Sequence, residues 1–475
     1  MAGGTLTTVD SILKEYYLGP VQEQLNNEVL LLSRIEARSE DLVGKAAFVP
    51  LHTGRSSGIG AVAESAALPS AGNQTYARAE YDLKYLYGRI QVTGPSMAKT
   101  KSDAGSFLQV LKGELDGVRA DLTKDLARQI YGTGDGVIGT GATTAGASAS
   151  KVYTLTDWEP LKKGQFYVGQ VLNAFIQSTG VAVTGTIVDF TVTAVSLVAA
   201  ATSTVTISCT SFTSTTDVVT LVRSGSVTAA QGLNRFNNTT RSNEIDGLRR
   251  VVNSFTPAAA AEANGTIASA TLATANGKSG SLGKIDAYSA TYWDNQRTFG
   301  ATPGTPEALT IMRVQQAINL GRQRGAMPSA IITSLGVQRE FYRLLQANQQ
   351  FVTPGGTDYA SGFSTLTYNG MPVIADLDAP YGKMFILDES TMKVFSDQDW
   401  HFLDGDGQTL RQVAGFDAYE AVMVRYMNMG ATNRNKNVVI NDINVNGVAD
   451  AGILVMVWER GFAPLPFFYS EERGY

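Results

Sequence analysis

The chain has little of what chemistry at a protein site usually needs. Its single cysteine, Cys209, excludes an internal disulfide and any cysteine-rich metal cluster; it fits a reducing compartment and reads as a small buried apolar residue. The two histidines, His52 and His401, are widely separated and leave no zinc constellation. Charge is sparse, 17% of residues, with 38 Lys plus Arg against 43 Asp plus Glu. A formal charge of −5 argues against binding driven by phosphate neutralisation. No run of about 18 apolar residues occurs, and Met1 to Asp10 has no basic region followed by an apolar one, so the expectation is a soluble chain with no signal peptide and no membrane partner.

What is present is length and apolar content. The 475 residues, 44% hydrophobic, can bury a large core divided over two or more units. The 48 glycines and sparse charge suit strands and loops more than a helical bundle. Thr8 to Arg38 reads as helix, with Ile12, Leu13, Tyr16, Leu25, Val29, Leu32 and Ile35 at helical spacing and a break at Gly19 and Pro20. Ala46 to Thr53 and Tyr76 to Val92 read as the two strands of a long hairpin. In the return strand Tyr81, Leu83, Tyr85 and Tyr87 share one parity, whereas Ile90 and Val92 have the other. The spacing therefore predicts a switch of faces at Gly88. A two-stranded ribbon is marginal alone in water, so a partner surface is expected.

The clearest helix runs from about Asp103 to Tyr131, with Phe107, Leu111, Leu115, Val118, Leu122, Leu126 and Ile130 on one face. Ser102 or Asp103 can cap its start and Gly132 can end it. Thr133 to Ser150 reads as a linker. Lys151 to Val227, rich in Thr, Val and Ser, reads as a small inserted β-domain, a barrel or sandwich. Pro257 to Ser281 is low-complexity crossover. Beyond it the pattern gives helices from Pro306 to Arg324 and Leu335 to Asn348, and strands at Ala330 to Ser334 and around Val373, Phe385, Val394 and Val422. The class is α+β with a β insertion.

Motifs with chemical meaning fail on context. Gly54, Ser56 and Gly58 spell a nucleophile elbow, but no convincing helix follows, and only His52 and His401 exist to act as base. Gly134, Gly136 and Gly139 spell a dinucleotide fingerprint, yet they follow a helix, where that motif must precede one. Asp404, Asp406 and Gln408 resemble a calcium loop with Thr409 and Gly415 at the two positions that matter most, so a strand-connecting turn is expected. Glu471 and Glu472 are ordinary solvated tail carboxylates. Arg78, Lys84 and Arg89 among the hairpin tyrosines could suit single-stranded nucleic acid, but Glu80 and Asp82 cancel the field. The expectation is no catalytic residue, no metal and no cofactor.

The order of elements resembles the major capsid proteins of tailed bacteriophages, the Hong Kong 97 fold family. The likeness lies in Asn73-Gln-Thr-Tyr, Tyr85-Leu-Tyr-Gly-Arg-Ile and Thr93-Gly-Pro followed by the long helix, and in Gly370-Met-Pro-Val, Phe385-Ile-Leu-Asp, Arg425-Tyr-Met-Asn and Asn437-Val-Val-Ile-Asn-Asp-Ile. It covers roughly Val43 to Tyr131 and Pro328 to Ile443. The resemblance implies an N-terminal arm (1–44), an extended loop (45–98), a spine helix of the peripheral domain (99–135), peripheral strands and crossover (231–305), an axial domain (306–399) and closing strands (400–447); two parts depart from the family pattern, a linker and β insertion domain (136–230) and a C-terminal extension (448–475).

The resemblance further implies self-assembly into pentamers and hexamers, an icosahedral shell around double-stranded DNA, a portal, a decoration protein, and a virion capsid assembled in the host cytoplasm. A separate scaffolding protein is expected because the arm begins within the first residues. The inter-subunit contacts are assigned to Tyr76, Arg78, Tyr81, Lys84, Tyr85, Tyr87, Gly88 and Arg89 of the extended loop. Some family members crosslink subunits through a loop lysine, but only Lys84 stands in the return strand and no asparagine or glutamate partner matches, so no crosslinking is expected. The rivals are an encapsulin nanocompartment shell, a serine hydrolase built on Ser56, and a carbohydrate-binding module in Val181 to Val222.

Overall fold

A computed structural model describes residues 30–36, 39–41, 46–64, 66–99, 110–142, 150–155, 159–176, 188–197, 203–208, 219–225, 243–252, 282–285, 291–293, 295–298, 306–346, 366–404 and 409–445. In chain order the elements are α1 (Leu30–Glu36), β1 (Ser39–Asp41), β2 (Ala46–Gly54), β3 (Thr75–Asp82), β4 (Lys84–Thr93), α2 (Gly94–Lys99), α3 (Val110–Tyr131), β5 (Val137–Ala142), β6 (Ser150–Leu155), α4 (Glu159–Lys162), β7 (Val171–Ile176), β8 (Phe190–Ser196), β9 (Thr204–Ser208) and β10 (Val219–Arg223). There follow α5 (Leu248–Val251), β11 (Gln296–Thr298), α6 (Ile311–Gln323), β12 (Ala330–Thr333), α7 (Leu335–Gln346), β13 (Thr367–Tyr368), β14 (Met371–Ala375), β15 (Met384–Leu387), β16 (Met392–Phe402), β17 (Arg411–Gln412), β18 (Ala418–Ala431) and β19 (Val438–Ile440). Cys209, Gly19, Pro20, the cap at Ser102 or Asp103, Asp406, the crossover Pro257 to Ser281 and the C-terminal extension lie outside the described residues.

The chain divides into two compact units, one made of Leu86–Ala127 with Gln398–Arg425 and the other of the described remainder. In the first, α3 lies against β4. A Cβ on Gly88 would stand 2.5 Å from Leu122 Cδ1 and 2.8 Å from Val118 Cγ1, so glycine is what lets the strand approach the helix. Helix α3 spans 22 described residues, about 33 Å at 1.5 Å per residue. It ends where Gly132 donates its N–H to Gln129 O at 2.9 Å, as the sequence predicts. In the same unit β17 pairs antiparallel with β18, and Leu403 donates to Val422 O at 2.8 Å.

The second unit holds a closed barrel in the order β10-β5-β6-β9-β8-β7. Alternation builds it: along β6, Lys151, Tyr153 and Leu155 turn inward while Ser150, Val152 and Thr154 turn outward. The interior is filled by Tyr153, Leu155, Phe166, Leu172, Phe190, Val205, Ile207, Val219 and Leu221, all buried. Closure leaves no strand edge to pair with a stranger. The supposed linker Thr133 to Ser150 is corrected here, because it contains β5. Its glycines do two jobs: Gly134 (φ 70°) and Gly136 (φ 75°) turn the chain, whereas Gly139 and Gly141 sit in the strand, where a Cβ would meet Phe166 at 3.1 Å and Thr154 O at 2.9 Å. The Gly134, Gly136, Gly139 run is thus a turn from helix into strand and forms no helix N-terminus.

The same unit has a mixed sheet in the order β11-β19-β15-β12-β14-β13. Every residue of β12, β15 and β19 is buried, as expected for central strands. Helix α6 packs on this core through Val314, Ala317, Ile318 and Gly321, and α7 through Val337 and Phe341. The expected start of α6 at Pro306 moves to Ile311: Thr310 is extended and its hydroxyl accepts from Arg313 N at 3.2 Å, which fixes the N-terminus there. At one edge Asn369 (φ 52°) and Gly370 (φ 81°) form the two-residue turn joining β13 to β14. Parallel β1 pairs with Val394–Ser396 of β16, and α1 is anchored by Arg34, whose guanidinium makes a two-pronged contact with Glu389 at 2.6 and 3.1 Å.

Polar groups buried in this unit hold elements where apolar packing alone would not set direction. Arg434 is fully enclosed and donates to Val251 O (2.9 Å) and Arg250 O (2.8 Å), satisfying the last carbonyls of α5. At the end of α3, Arg128 grips Glu244 at 2.5 and 3.3 Å, and Ile245 N donates to the Gln129 side chain at 3.3 Å. Gly247 is forced by proximity, since a Cβ there would fall 2.3 Å from Gln129 O and 2.4 Å from Gly132 O. The barrel's α4 is clasped to the turn before β15. Lys163 donates to Asp378 O (3.0 Å) and Ala379 O (2.9 Å) and pairs with Glu159, which in turn accepts from Tyr381 N at 3.2 Å. Beside this clasp lies a cavity of about 250 Å³, walled in part by Arg128, Tyr131 and Arg249.

Candidate functional site

The residues assigned to inter-subunit contact lie on β3 and β4. Strands β2 and β3 form a two-stranded antiparallel ribbon in which Ala46 faces Asp82, Phe48 faces Glu80, Pro50 faces Arg78 and His52 faces Tyr76. Glu80 donates its N–H to Gly283 O at 2.9 Å, away from β2. Alternate residues of an antiparallel strand turn their N–H and C=O the same way. Tyr76 and Arg78 therefore also turn theirs to the outer edge, and Pro50, opposite Arg78, stands on the other outer edge.

The ribbon's faces differ as well. Ala47, Ala79 and Tyr81 are buried near the base, while Phe48, His52, Tyr76 and Arg78 share the opposite, exposed face. There the Arg78 guanidinium lies 5.0 Å from the Phe48 ring centre, and His52 meets Tyr76 at 5.3 Å. At the distal end Ser56 donates to Gly72 O (2.9 Å) and accepts from Gly58 N (3.1 Å), closing a turn, while His52 is bonded to Gln74 at 2.6 Å. This geometry gives the serine a structural task in the tip. Around it Ile59 and Leu68 stand more than four-fifths exposed.

The base is braced. Gly283 (φ 59°) passes so close to Ala79 that a Cβ would sit 2.7 Å from its methyl. The adjacent Lys284 pairs with Glu80 and with Asp82 (3.2 Å), and the bond to Glu80 holds the Lys284 ammonium above its ordinary pKa. Tyr81 is completely enclosed: its ring stacks on Phe395 at 5.1 Å, and its hydroxyl donates to Ala431 O (2.8 Å) and accepts from Ala431 N (3.1 Å).

The change of faces falls at Leu83, five positions before Gly88, where the return strand breaks into β3 and β4. Before the break the odd positions 79 and 81 are buried; after it the even positions Leu86, Ile90 and Val92 are, and Gly88 stays in phase with them. Counting tyrosines as apolar caused the misplacement, because Tyr85 and Tyr87 are each 57% exposed.

Of the eight assigned residues, Tyr81 and Gly88 are therefore committed inside the subunit. Tyr76, Arg78, Tyr85, Tyr87 and Arg89 reach its surface, and Lys84 is half-buried. Tyr85 meets Tyr426 edge to face at 5.2 Å, and Arg89 pairs with Glu420 at 2.5 Å. Phe48, Pro50 and His52 of β2 share the exposed face of Tyr76 and Arg78. Their parity on β2 opposite the assigned residues of β3 is the signal that places them there.

Among the described residues no group of three or more His, Cys, Asp or Glu is placed to hold a metal, and no helix is long and apolar enough to cross a membrane. No family model matches the chain, and no curated protein matches it. Solved structures do. The chain is similar to the cyanophage A-1(L) capsid asymmetric unit, with TM-score 0.57 and 16% identity over 92% of this chain and 99% of that one. It is also aligned with the capsid of a native GTA particle (TM-score 0.48, 8% identity, 93% and 100% covered). A third match is the holo-SrpI encapsulin complex from Synechococcus elongatus PCC 7942 (TM-score 0.41, 7% identity, 94% and 97% covered). The likeness to the A-1(L) subunit shows a shared fold. The chain has the Hong Kong 97-like phage capsid fold that the sequence resemblance implies.

Proposed function

We propose that this chain is the major capsid protein of a tailed bacteriophage, assembling into pentamers and hexamers that close into an icosahedral shell around double-stranded DNA. The observation that carries the reading is the shared fold with a phage capsid subunit across 92% of the chain. The ribbon adds support, since its exposed face presents Phe48, Tyr76 and Arg78 to solvent. In this reading residues 45–98 are the extended loop, α3 is the spine of the peripheral domain, and the sheet flanked by α6 and α7 is the axial domain. The barrel of β5 to β10 is an insertion domain. Tyr76, Arg78, Lys84, Tyr85, Tyr87 and Arg89 are the loop residues that touch neighbouring subunits.

A separate scaffolding protein, a portal and a decoration protein are the further partners, and assembly takes place in the host cytoplasm. The subunits join without covalent crosslinks, and the chain is not an enzyme. Closure of a shell from many modest contacts is cooperative because each added capsomer touches several neighbours. The slightly acidic balance suits a container whose DNA must not adhere to its wall. Negative-stain microscopy of the purified full-length chain, with and without scaffolding protein, is the test. Closed shells or capsomers are expected, and a monomer under every condition overturns the reading.

A further inference from the structure

The two long edges of the ribbon are unlike. On β2 the outward positions are Ala46, Phe48, Pro50 and His52, and Pro50 in their midst has no N–H to offer. A proline on an outward position is a common way for proteins to blunt a sheet edge. On β3 the outward positions are Tyr76, Arg78, Glu80 and Asp82. The N–H of Glu80 is taken by Gly283 O at 2.9 Å, so the basal half is closed by the chain itself. Among the described residues the outward N–H groups of Tyr76 and Arg78 have no backbone partner. The distal half of β3 thus presents donors and acceptors at strand spacing, with no proline and, among the described residues, no covering segment.

A two-stranded ribbon gains most from a third strand. Arg78, Glu80, Asp82 and Lys284 mix their signs along this edge, which gives no uniform field to attract a nucleic acid backbone. An extended segment supplied by an identical subunit meets the need, because in a shell of identical subunits every copy carries both the segment and the edge. Resting on the shell reading above, we infer that a strand of a second copy of this chain adds to the outer edge of β3 at Tyr76–Arg78. One ribbon edge is thereby reserved for assembly and the other kept closed by Pro50.

The test uses the full-length chain. Arg78→Pro deletes one outward donor and creates opposite Pro50 the same block that β2 already has, leaving the β2–β3 ladder bonds in place. Arg78→Val removes the side chain and keeps the donor. Closed particles are expected from Arg78→Val, at a yield lowered only by what its side chain contributes to the contact, and are lost in Arg78→Pro, with unchanged melting of the free subunits. Amide exchange of wild type gives a second readout that needs no variant: Tyr76 and Arg78 amides are slow in particles assembled from the pure chain and fast in free subunits. Particle formation by Arg78→Pro at the level of Arg78→Val, or equally fast exchange of the two amides in both states, overturns the inference. A wild-type chain that stays monomeric both with and without scaffolding protein overturns the shell reading itself, which separates the two failures.

Discussion

Replacing Tyr81 with phenylalanine separates a residue that stabilises the subunit from one that joins subunits. The ring would remain stacked on Phe395, and no cavity would form. What is lost is the hydroxyl, which donates to Ala431 O and accepts from Ala431 N in a site with no solvent access. Both backbone groups of Ala431 would be left to find other partners, and a buried unsatisfied group costs roughly 1–3 kcal/mol. Some relaxation of the strand end is expected, so the net loss should be about 2–4 kcal/mol. Tyr76→Phe, on the exposed face of the ribbon, should stay within about 0.5 kcal/mol of wild type. Urea unfolding of unassembled subunits, followed by tryptophan fluorescence, measures both. A Tyr81→Phe midpoint equal to wild type at an equal slope would refute the reasoning, because it would mean the hydroxyl is paired as well with water as with Ala431.

Two further substitutions test the interior. Gly88→Ala should destabilise by about 1–3 kcal/mol through its clash with Val118 and Leu122; Leu122→Ala in the same chain should restore part of the loss, and strict additivity of the two would discredit the packing account. Lys383, whose ammonium donates to Asn441 Oδ1 at 2.7 Å, has its pKa lowered by burial from 10.5 to about 7. Between about pH 7 and pH 10 the unfolded chain therefore holds a proton there that the native chain does not, and stability should rise with pH by up to about 1.4 kcal/mol per unit, flattening below pH 7. Lys383→Met should remove that slope in denaturation curves taken across the range, and an unaltered slope would assign it to other groups.

The parts legible in the sequence are those where one physical effect dominates. The apolar stripe ending at Ile130 and Gly132 needs only helical geometry to be read. The short runs at Ala330, Phe385 and Val438 are apolar but for Thr333 because they lie in the middle of a covered sheet. Strand β5 was missed because Val137-Ile-Gly-Thr-Gly-Ala has the composition of a linker; its glycines are there for the nearness of Phe166 and Thr154, which no local pattern reveals. The ribbon was legible as a pair, but the break at Leu83 was not, since an apolar residue gives no sign of interrupting a strand. Arg434, Lys383, Asn428 and Asn437 belong to types that normally face water, and only tertiary structure shows them enclosed.

The junction at the end of α3 has a consequence for how such a chain can change over time. The polypeptide leaves the helix at Thr133, builds the barrel, and returns to the same place, where Arg250 donates to Thr133 O at 3.2 Å and Glu244 is held by Arg128. The first and last barrel strands, β5 and β10, are paired neighbours. An excursion whose two ends already touch behaves as an interchangeable cartridge. Its outer strands can diversify while the helix and the returning segment keep their bonds to each other, provided Glu159 and Lys163 still reach the turn at Asp378–Tyr381.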